Sequence, residues 1–262
     1  MIELLNPAAG FLVGMLVGFT GVGGGALVTP LLILLFGVAP QTAIGTDLLF
    51  AAITKAFGSW IHGTRGSIEW QILARLSAGS LPAAALTLLF IRNFPPDREL
   101  QAFLLRGLGA AILLTSLAII FQTRIRHWGR ALRTISPERF QRTQPALTVA
   151  AGALLGFLVT LTSVGAGALG VVMLVYLYPF RLTPLKLVGT DIAHAIPLTL
   201  VAGLGHMSLG NVDLRLLGGL LLGSIPGIIL GSHLSHRANQ AVVRIAIAVV
   251  LVFVGGRLLL AS

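Results

Sequence analysis

Gly45-Thr46-Asp47 occurs again in this chain as Gly189-Thr190-Asp191, at an interval of 144 residues (189 − 45 = 144). The sequence therefore predicts one structural unit that is present in two copies. Each copy places an acid within apolar sequence, where an ionised side chain is energetically costly. The same interval relates further pairs: His62 and His206, Gly66 and Gly210, Glu69 and Asp213, Gly79 and Gly223, Ser80 and Ser224, and Pro82 and Pro226.

The apolar content of the chain indicates its class. Hydrophobic residues make up 56% of the sequence and charged residues 10%, whereas soluble domains carry about 25% charged residues. A membrane-spanning helix needs about 20 predominantly apolar residues. These proportions predict an all-α polytopic membrane protein built from two tandem repeats. Long apolar blocks lie near residues 8–36, 42–62, 69–91 and 103–121, and again near 147–178, 188–207, 213–234 and 241–260.

The positive charge is concentrated between the two halves. The net charge of +10 would suggest nucleic acid binding in a soluble protein, but its location argues against a nucleic acid partner here. The positive-inside rule instead places this segment in the cytoplasm, and the protein in the inner membrane among lipids. Six arginines lie there, opposed by Glu138: Arg124, Arg126, Arg130, Arg133, Arg139 and Arg142.

This charge distribution divides the chain into three parts. We predict a first transmembrane repeat over 1–121, a basic cytoplasmic linker over 122–146 and a second repeat over 147–262. The linker is expected to form a short amphipathic surface helix that is broken near Pro137.

Glycine clusters interrupt the first apolar block of each half. The first half contains Gly23-Gly24-Gly25, and the second contains Gly165-Ala166-Gly167. Each glycine costs a helix interior about 1 kcal/mol relative to alanine, so we predict a broken or re-entrant first helix in each repeat. The alternative is close helix packing through small residues. That explanation suits the spaced pairs Gly14/Gly18 and Gly152/Gly156.

Loop charges bear on the orientation of the halves. One crossing per first block gives parallel repeats, with few basic residues on the cytoplasmic side. A re-entrant or doubly crossing block gives inverted repeats, a frequent transporter design. That second arrangement fits the positive-inside rule better. It places four basic residues inside: Arg65, Arg181, Lys186 and Arg237.

Taken in order and in duplicate, these motifs resemble the sulfite exporter (TauE/SafE-type) family of membrane permeases. The shared features are the Gly-Phe…Gly-x-Gly-Gly-Gly opening at 18–25, the Gly-Thr-Asp tripeptide, and His-x-x-x-Gly-x-[Val/Ile]-[Asp/Glu] at 62–69 and 206–213. The resemblance implies an exporter of small sulfur-containing anions such as sulfite, sulfonates or sulfoacetate.

Backbone amides at the start of a half-helix are a low-cost way to hold such an anion within a membrane. The glycines that would expose these amides are Gly23, Gly24, Gly25, Gly165 and Gly167. Neighbouring hydroxyl groups would add donors, unless they bond back to the preceding helical turn. The hydroxyls assigned to the substrate site are those of Thr20, Thr46, Thr162, Ser163 and Thr190, and Thr29 is a further donor.

The two repeated acids cannot attract an anion. Asp47 and Asp191 either lie in the first turn of helices capped by Thr46 and Thr190, or they couple transport to protons or another cation. Lys55, two helical turns after Asp47, would pair with it, neutralise the substrate or extend to the membrane interface.

Four other polar residues have predicted roles near the two acids or at the ends of the apolar blocks. His194 lies three residues after Asp191, so it would share its proton or be a satisfied buried histidine. His206, Glu69 and Asp213 stand at block ends, where interfacial anchoring and helix capping are expected.

The combined pattern predicts a secondary transporter, since duplicated halves, buried charges and interrupted helices are typical of that class. A passive anion channel and a non-transporting membrane subunit are the alternatives. No nucleophile–base pair indicates an enzyme, and no compact ligand group indicates a metal or cofactor. The oligomeric state stays open, with a homodimer as one option.

Overall fold

The structure of the chain is a computed structural model that describes residues 2–20, 25–62, 67–94, 97–135, 137–235 and 240–260. Within those ranges its regular structure is entirely helical, as predicted. The helices are α1 (Ile2–Thr20), α2 (Gly25–Phe36), α3 (Pro40–His62), α4 (Trp70–Arg92), α5 (Arg98–Ile135), α6 (Pro137–Thr162), α7 (Ala168–Leu177), α8 (Pro184–Ser208), α9 (Leu214–Ser235) and α10 (Gln240–Leu260).

The protein is a multi-pass membrane protein. Large apolar side chains are exposed on the outer helix faces, including Leu222 (74%) and Phe253 (69%), which suits contact with lipid rather than water. Five of the described helices are long and apolar enough to cross a bilayer: Trp70–Arg92, Arg98–Ala131, Phe140–Thr162, Pro184–Ser208 and Leu214–Gly231.

Small residues bring two helix pairs into backbone contact, as the spaced glycines predict. On α1, Gly14 and Gly18 lie against the backbone of Ser224 and Ile228 on α9. On α6, Gly152 and Gly156 lie in the same way against Leu76 and Ser80 on α4. A Cβ atom at any of these glycines would collide with the facing backbone, so close packing requires glycine there.

Two hydrogen bonds join residues that occupy corresponding positions in the two sequence copies. Thr46 Oγ1 accepts from the backbone N–H of Asp213 at 3.0 Å, and Thr190 Oγ1 accepts from that of Glu69 at 3.0 Å. Both threonines lie inside helices, because α3 begins at Pro40 and α8 begins at Pro184. The interpretation of Thr46 and Thr190 as N-caps is therefore wrong; the N-cap of α8 is Thr183.

Helices α6 and α7 form an antiparallel hairpin. The Thr148 hydroxyl shares a 2.8 Å hydrogen bond with the Tyr178 hydroxyl, and Gln144 Nε2 donates to the Leu177 carbonyl at 2.5 Å. The end of α7 therefore lies beside the early turns of α6, and the hairpin turn, residues 163–167, is at the opposite end. That turn is almost wholly buried.

The sequence predicts that the basic segment forms a separate short helix, but the structure shows that it does not. Helix α5 continues through it to Ile135, and α6 begins at Pro137, where proline is well tolerated because the first helical N–H has no intrahelical partner. The expected break near Pro137 is therefore the boundary between two long helices. The domain limits at 121 and 146 stay a prediction.

Candidate functional site

The charged centre of the protein is one lysine within electrostatic reach of two acids. Lys55 on α3 interacts with Asp47 on the same helix and with Asp191 on α8. Its Nζ donates a 2.5 Å hydrogen bond to the Ala166 carbonyl in the α6–α7 turn. Lys55 therefore contacts the α6–α7 turn from α3, and its role toward a substrate stays a prediction.

Asp47 is fully buried, with 0% of its surface exposed. The Thr29 hydroxyl of α2 donates to its Oδ2 at 2.5 Å. Its Oδ1 has no hydrogen-bond partner among the described residues, although the Ser163 hydroxyl lies nearby. An isolated buried carboxylate oxygen is unfavourable, so this side chain has capacity for a proton or a bound group.

Asp191 fits against a glycine. A Cβ atom at Gly170 on α7 would collide with Asp191 Oδ1, so the absence of a side chain at residue 170 makes room for the carboxylate. His194, one turn further along α8, shares a 2.8 Å hydrogen bond through Nε2 with the Ser80 hydroxyl of α4. His194 is thus buried with a partner for one ring nitrogen, and its expected role beside Asp191 stays a prediction.

The α6–α7 turn has a backbone conformation that glycine permits. Gly165 and Gly167 have φ values of 113° and 141°, and Ser163 has φ 59°, a region that few residues other than glycine adopt. Gly167 precedes α7 and supplies no side-chain cap. The N–H of Gly170, the third amide of α7, donates to the Gly165 carbonyl at 3.3 Å. The amides of Ala168 and Leu169 precede it, close to the carbonyl that binds Lys55.

One end of the molecule has a charge cluster. Glu69 accepts from Lys186 Nζ at 2.6 Å and from Arg181 Nη2 at 2.9 Å. These contacts join the start of α4 to the α7–α8 connection and the first turn of α8. The Lys186 hydrogen bond, with help from Arg181, holds the pKa of Glu69 below its usual range, against the opposing effect of burial.

Comparison with known proteins identifies the class to which this architecture belongs. Residues 7–258 match the family described as sulfite exporter TauE/SafE. The chain belongs to this family. It is therefore a membrane transporter of the TauE/SafE type, in agreement with the resemblance noted from its motifs.

Relatives of this TauE/SafE protein are also described as transporters. It is 39% identical to the probable membrane transporter protein YjnA of Bacillus subtilis, over 95% of this chain and 97% of that protein. It is 30% identical to YdhB of the same species, over 90% and 92%, and 27% identical to MJ0441 of Methanocaldococcus jannaschii, over 89% and 85%. No solved structure matches the chain.

The TauE/SafE structure brings some of the predicted site residues together. Lys55 contacts the turn that contains Ser163, Gly165 and Gly167, and both acids lie within its electrostatic reach. Thr162 instead bonds back to the Leu158 carbonyl at 2.6 Å. Thr46 and Thr190 use their hydroxyls in the exchanged contacts between the halves.

The remaining predictions concern the first glycine cluster. Gly23, Gly24 and the Thr20 side chain lie outside the described residues. Gly25 is the first residue of α2.

Three residues near the centre were not assigned to the site from sequence. Ser80 and Gly170 contact His194 and Asp191; Ser80 belongs to a repeated pair, but Gly170 has no counterpart that would mark it. His206, expected at the interface, is fully buried and shares a 2.9 Å hydrogen bond with the Thr160 carbonyl. The interfacial interpretation of His206 is wrong, because α8 packs that turn against α6.

Proposed function

We propose that this TauE/SafE transporter exports small sulfur-containing anions, such as sulfite, sulfonates or sulfoacetate, by a secondary, proton-coupled mechanism. The observation that carries the proposal is the contact between Lys55 and the α6–α7 turn. It places a partly buried cation beside the glycine-containing turn that joins α6 to α7.

The anion would bind between Lys55 and the uncapped start of α7. Amides at a helix start favour negative charge, and Gly165 and Gly167 let a sulfonate-sized group approach the main chain. Ser163 Oγ is buried and has no partner among the described residues, so it is able to donate to the anion. The lysine supplies charge that the amides alone lack.

Proton coupling follows from the balance of charge at this centre. One lysine and two ionised acids have a net charge of −1, which would repel an anion. Protonation of Asp47 or Asp191 makes the centre neutral, and anion binding becomes more favourable. Proton uptake would therefore accompany anion binding, so the proton and the anion would move in the same direction. Net outward flow, the direction that the family description names, would then be driven by an outward concentration gradient of the anion.

We further propose that the halves are inverted repeats. The exchanged hydrogen bonds of Thr46 and Thr190 support a pseudo-two-fold relation between them. The α6–α7 hairpin enters and leaves at one end of the molecule, which supports a first block that is re-entrant or crosses twice. In this arrangement one half would rock against the other around a shared site.

We also propose which end of the molecule is cytoplasmic. Helices α4 and α6 run in parallel, so Glu69 and the basic start of α6 lie at the same end, together with Arg181 and Lys186. The concentration of positive charge there supports the cytoplasmic side under the positive-inside rule.

Flux into proteoliposomes tests the transport proposal. Purified protein should move sulfite, or another member of a panel of sulfur oxyanions, in a saturable and pH-dependent way. Lys55→Gln should reduce this flux at least tenfold, whereas Lys186→Gln, the same change at the end of the molecule, should retain most of it. Equal flux in both variants would reject Lys55 as a binding residue.

Asp47→Asn and Asp191→Asn test the coupling. At least one of them should remove the pH dependence of flux. Flux that follows only the membrane potential, at every pH, would identify a passive channel. Failure of folded protein to move any anion in the panel would favour a non-transporting subunit.

A further inference from the structure

A cavity of about 250 Å³ lies between α5 and the α7–α8 connection, away from the charged centre. One wall is polar and belongs to α5, with Gln122, Thr123 and Arg126. The facing wall is mainly apolar. It consists of Val175, Tyr178, Pro179, Leu182, Pro184 and Leu187.

The cavity lies where the membrane core ends. Helix α5 has 38 residues, so it is about 57 Å long, and the hydrocarbon core is only about 30 Å thick. Its apolar stretch ends at Phe121, and the polar residues of the cavity follow within the next two turns. Trp128, 65% exposed, fits the interfacial position of aromatic residues.

Arg126 supplies the positive charge of this cavity. It is exposed, and the ion pairs seen at Glu69 involve Arg181 and Lys186 and not Arg126. The apolar wall is held in place by the Tyr178 and Gln144 hydrogen bonds. The cavity therefore combines an exposed cation, just beyond the apolar stretch of α5, with a mainly apolar lining.

We propose that this cavity binds an anionic glycerophospholipid, with the phosphate on Arg126 and the glycerol and upper acyl chain along Leu182 and Leu187. Basic pockets beside transmembrane helices at a membrane surface suit such headgroups. A free phosphate ion shares the charge but would leave the apolar wall uncovered. The apolar wall therefore favours the lipid as the occupant.

Native mass spectrometry and thermal unfolding of the full-length protein in detergent test this site. Phosphatidylglycerol should remain bound and raise the Tm in a concentration-dependent way, and phosphatidylcholine should do so much less. Arg126→Gln should weaken phosphatidylglycerol binding about fivefold, corresponding to about 1 kcal/mol for one surface arginine.

The matched control is Arg124→Gln, the same charge change on the same helix. The Arg124 guanidinium lies over the Phe121 ring at 5.6 Å and does not line the cavity, so binding should stay near the wild-type level. Thr123→Phe fills the cavity without altering charge and should also weaken binding. If Arg126→Gln unfolds, Thr123→Phe still tests whether the lipid binds in this cavity.

Three outcomes would overturn the proposal. Retention of phosphatidylglycerol at the wild-type level by both Arg126→Gln and Thr123→Phe would show that this cavity is not the site. An equal loss of phosphatidylglycerol in Arg124→Gln would show the same. Inorganic phosphate that stabilised the protein as well as phosphatidylglycerol would show a free-anion site instead.

Discussion

The start of α4 and the start of α9 use the same backbone contact and different side-chain chemistry. At each, the N–H of an acidic residue donates to a threonine of the other half. Glu69 then binds Lys186 and Arg181, whereas Asp213 Oδ1 accepts the N–H groups of Arg215 and Leu216 in its own helix. The two backbone contacts are alike, and the side chains of Glu69 and Asp213 then bind different partners.

Corresponding residues around Lys55 also have different partners in the two halves of the sequence. Lys55 reaches across to the α6–α7 turn, but its counterpart in the second half, Thr199, donates back to the Ala195 carbonyl at 2.8 Å. Asp47 has a hydroxyl donor on α2, while Asp191 lies against Gly170. Among the described residues, Lys55 is thus the cation that interacts with both Asp47 and Asp191.

The largest expected effect comes from the helix contacts that the two halves have in common. Gly79 lies against the Val149 backbone, and Gly223 lies against that of Pro7. Gly79→Leu and Gly223→Leu should each prevent stable folding, because a side chain there forces the helices apart and costs several kcal/mol. Gel filtration of detergent extracts should show little monodisperse protein.

Gly218→Ala is the control for that pair, because a Cβ atom at Gly218 meets nothing within 4 Å. It should leave the elution profile unchanged. Tolerance of leucine at only one of the two glycines would break the equivalence of the halves.

The exchanged hydrogen bonds should have the next largest effect. Thr46→Val and Thr190→Val each leave a backbone N–H without its acceptor, at a cost of about 1–3 kcal/mol. Each kcal/mol corresponds to a fall in Tm of about 2–4 °C for a chain of this size. Thr→Ser at the same positions keeps the hydroxyl and should lose less. A clear difference between the two valine variants would show that the contacts are not equivalent.

A smaller effect is expected from the helix cap at Asp213. Asp213→Ala removes an acceptor for two amides at the start of α9 and should cost about 1 kcal/mol, measured as a fall in Tm. Asp213→Asn retains a capping oxygen and serves as the comparison. If alanine and asparagine behaved alike, the cap would contribute nothing measurable.

The smallest effect on stability should come from the Glu69 ion pairs, at about 1 kcal/mol or less, because their cations are partly exposed. The pKa of Glu69 is lower in the folded protein than its ordinary value of 4.5. Its stabilisation is therefore complete above that value and is lost as the pH falls through the folded pKa.

Glu69→Gln should lower the Tm slightly at neutral pH and remove this acid dependence. Added salt should reduce the difference in Tm between the wild type and Glu69→Gln, because it screens the ion pairs. A wild-type protein whose Tm advantage over Glu69→Gln persisted after Glu69 was protonated would show that the contacts stabilise by packing, not by charge.

The helical membrane class and the close packing at Gly14, Gly18, Gly152 and Gly156 were predictable from the residues alone. Apolar length and small-residue spacing are local properties, and a bilayer leaves few ways to satisfy a buried backbone. The family was likewise recognisable from ordered motifs, without any knowledge of contacts.

Tertiary packing decided which polar side chains meet. Lys55 and Ala166 are 111 positions apart, and no local spacing encodes that pairing. Thr46 and Thr190 look like helix caps in isolation, yet α3 and α8 begin a turn and a half earlier and present them to the other half. Their partners depend on how whole helices dock, because a side-chain hydrogen bond needs an approach of about 3 Å that only the assembled fold provides.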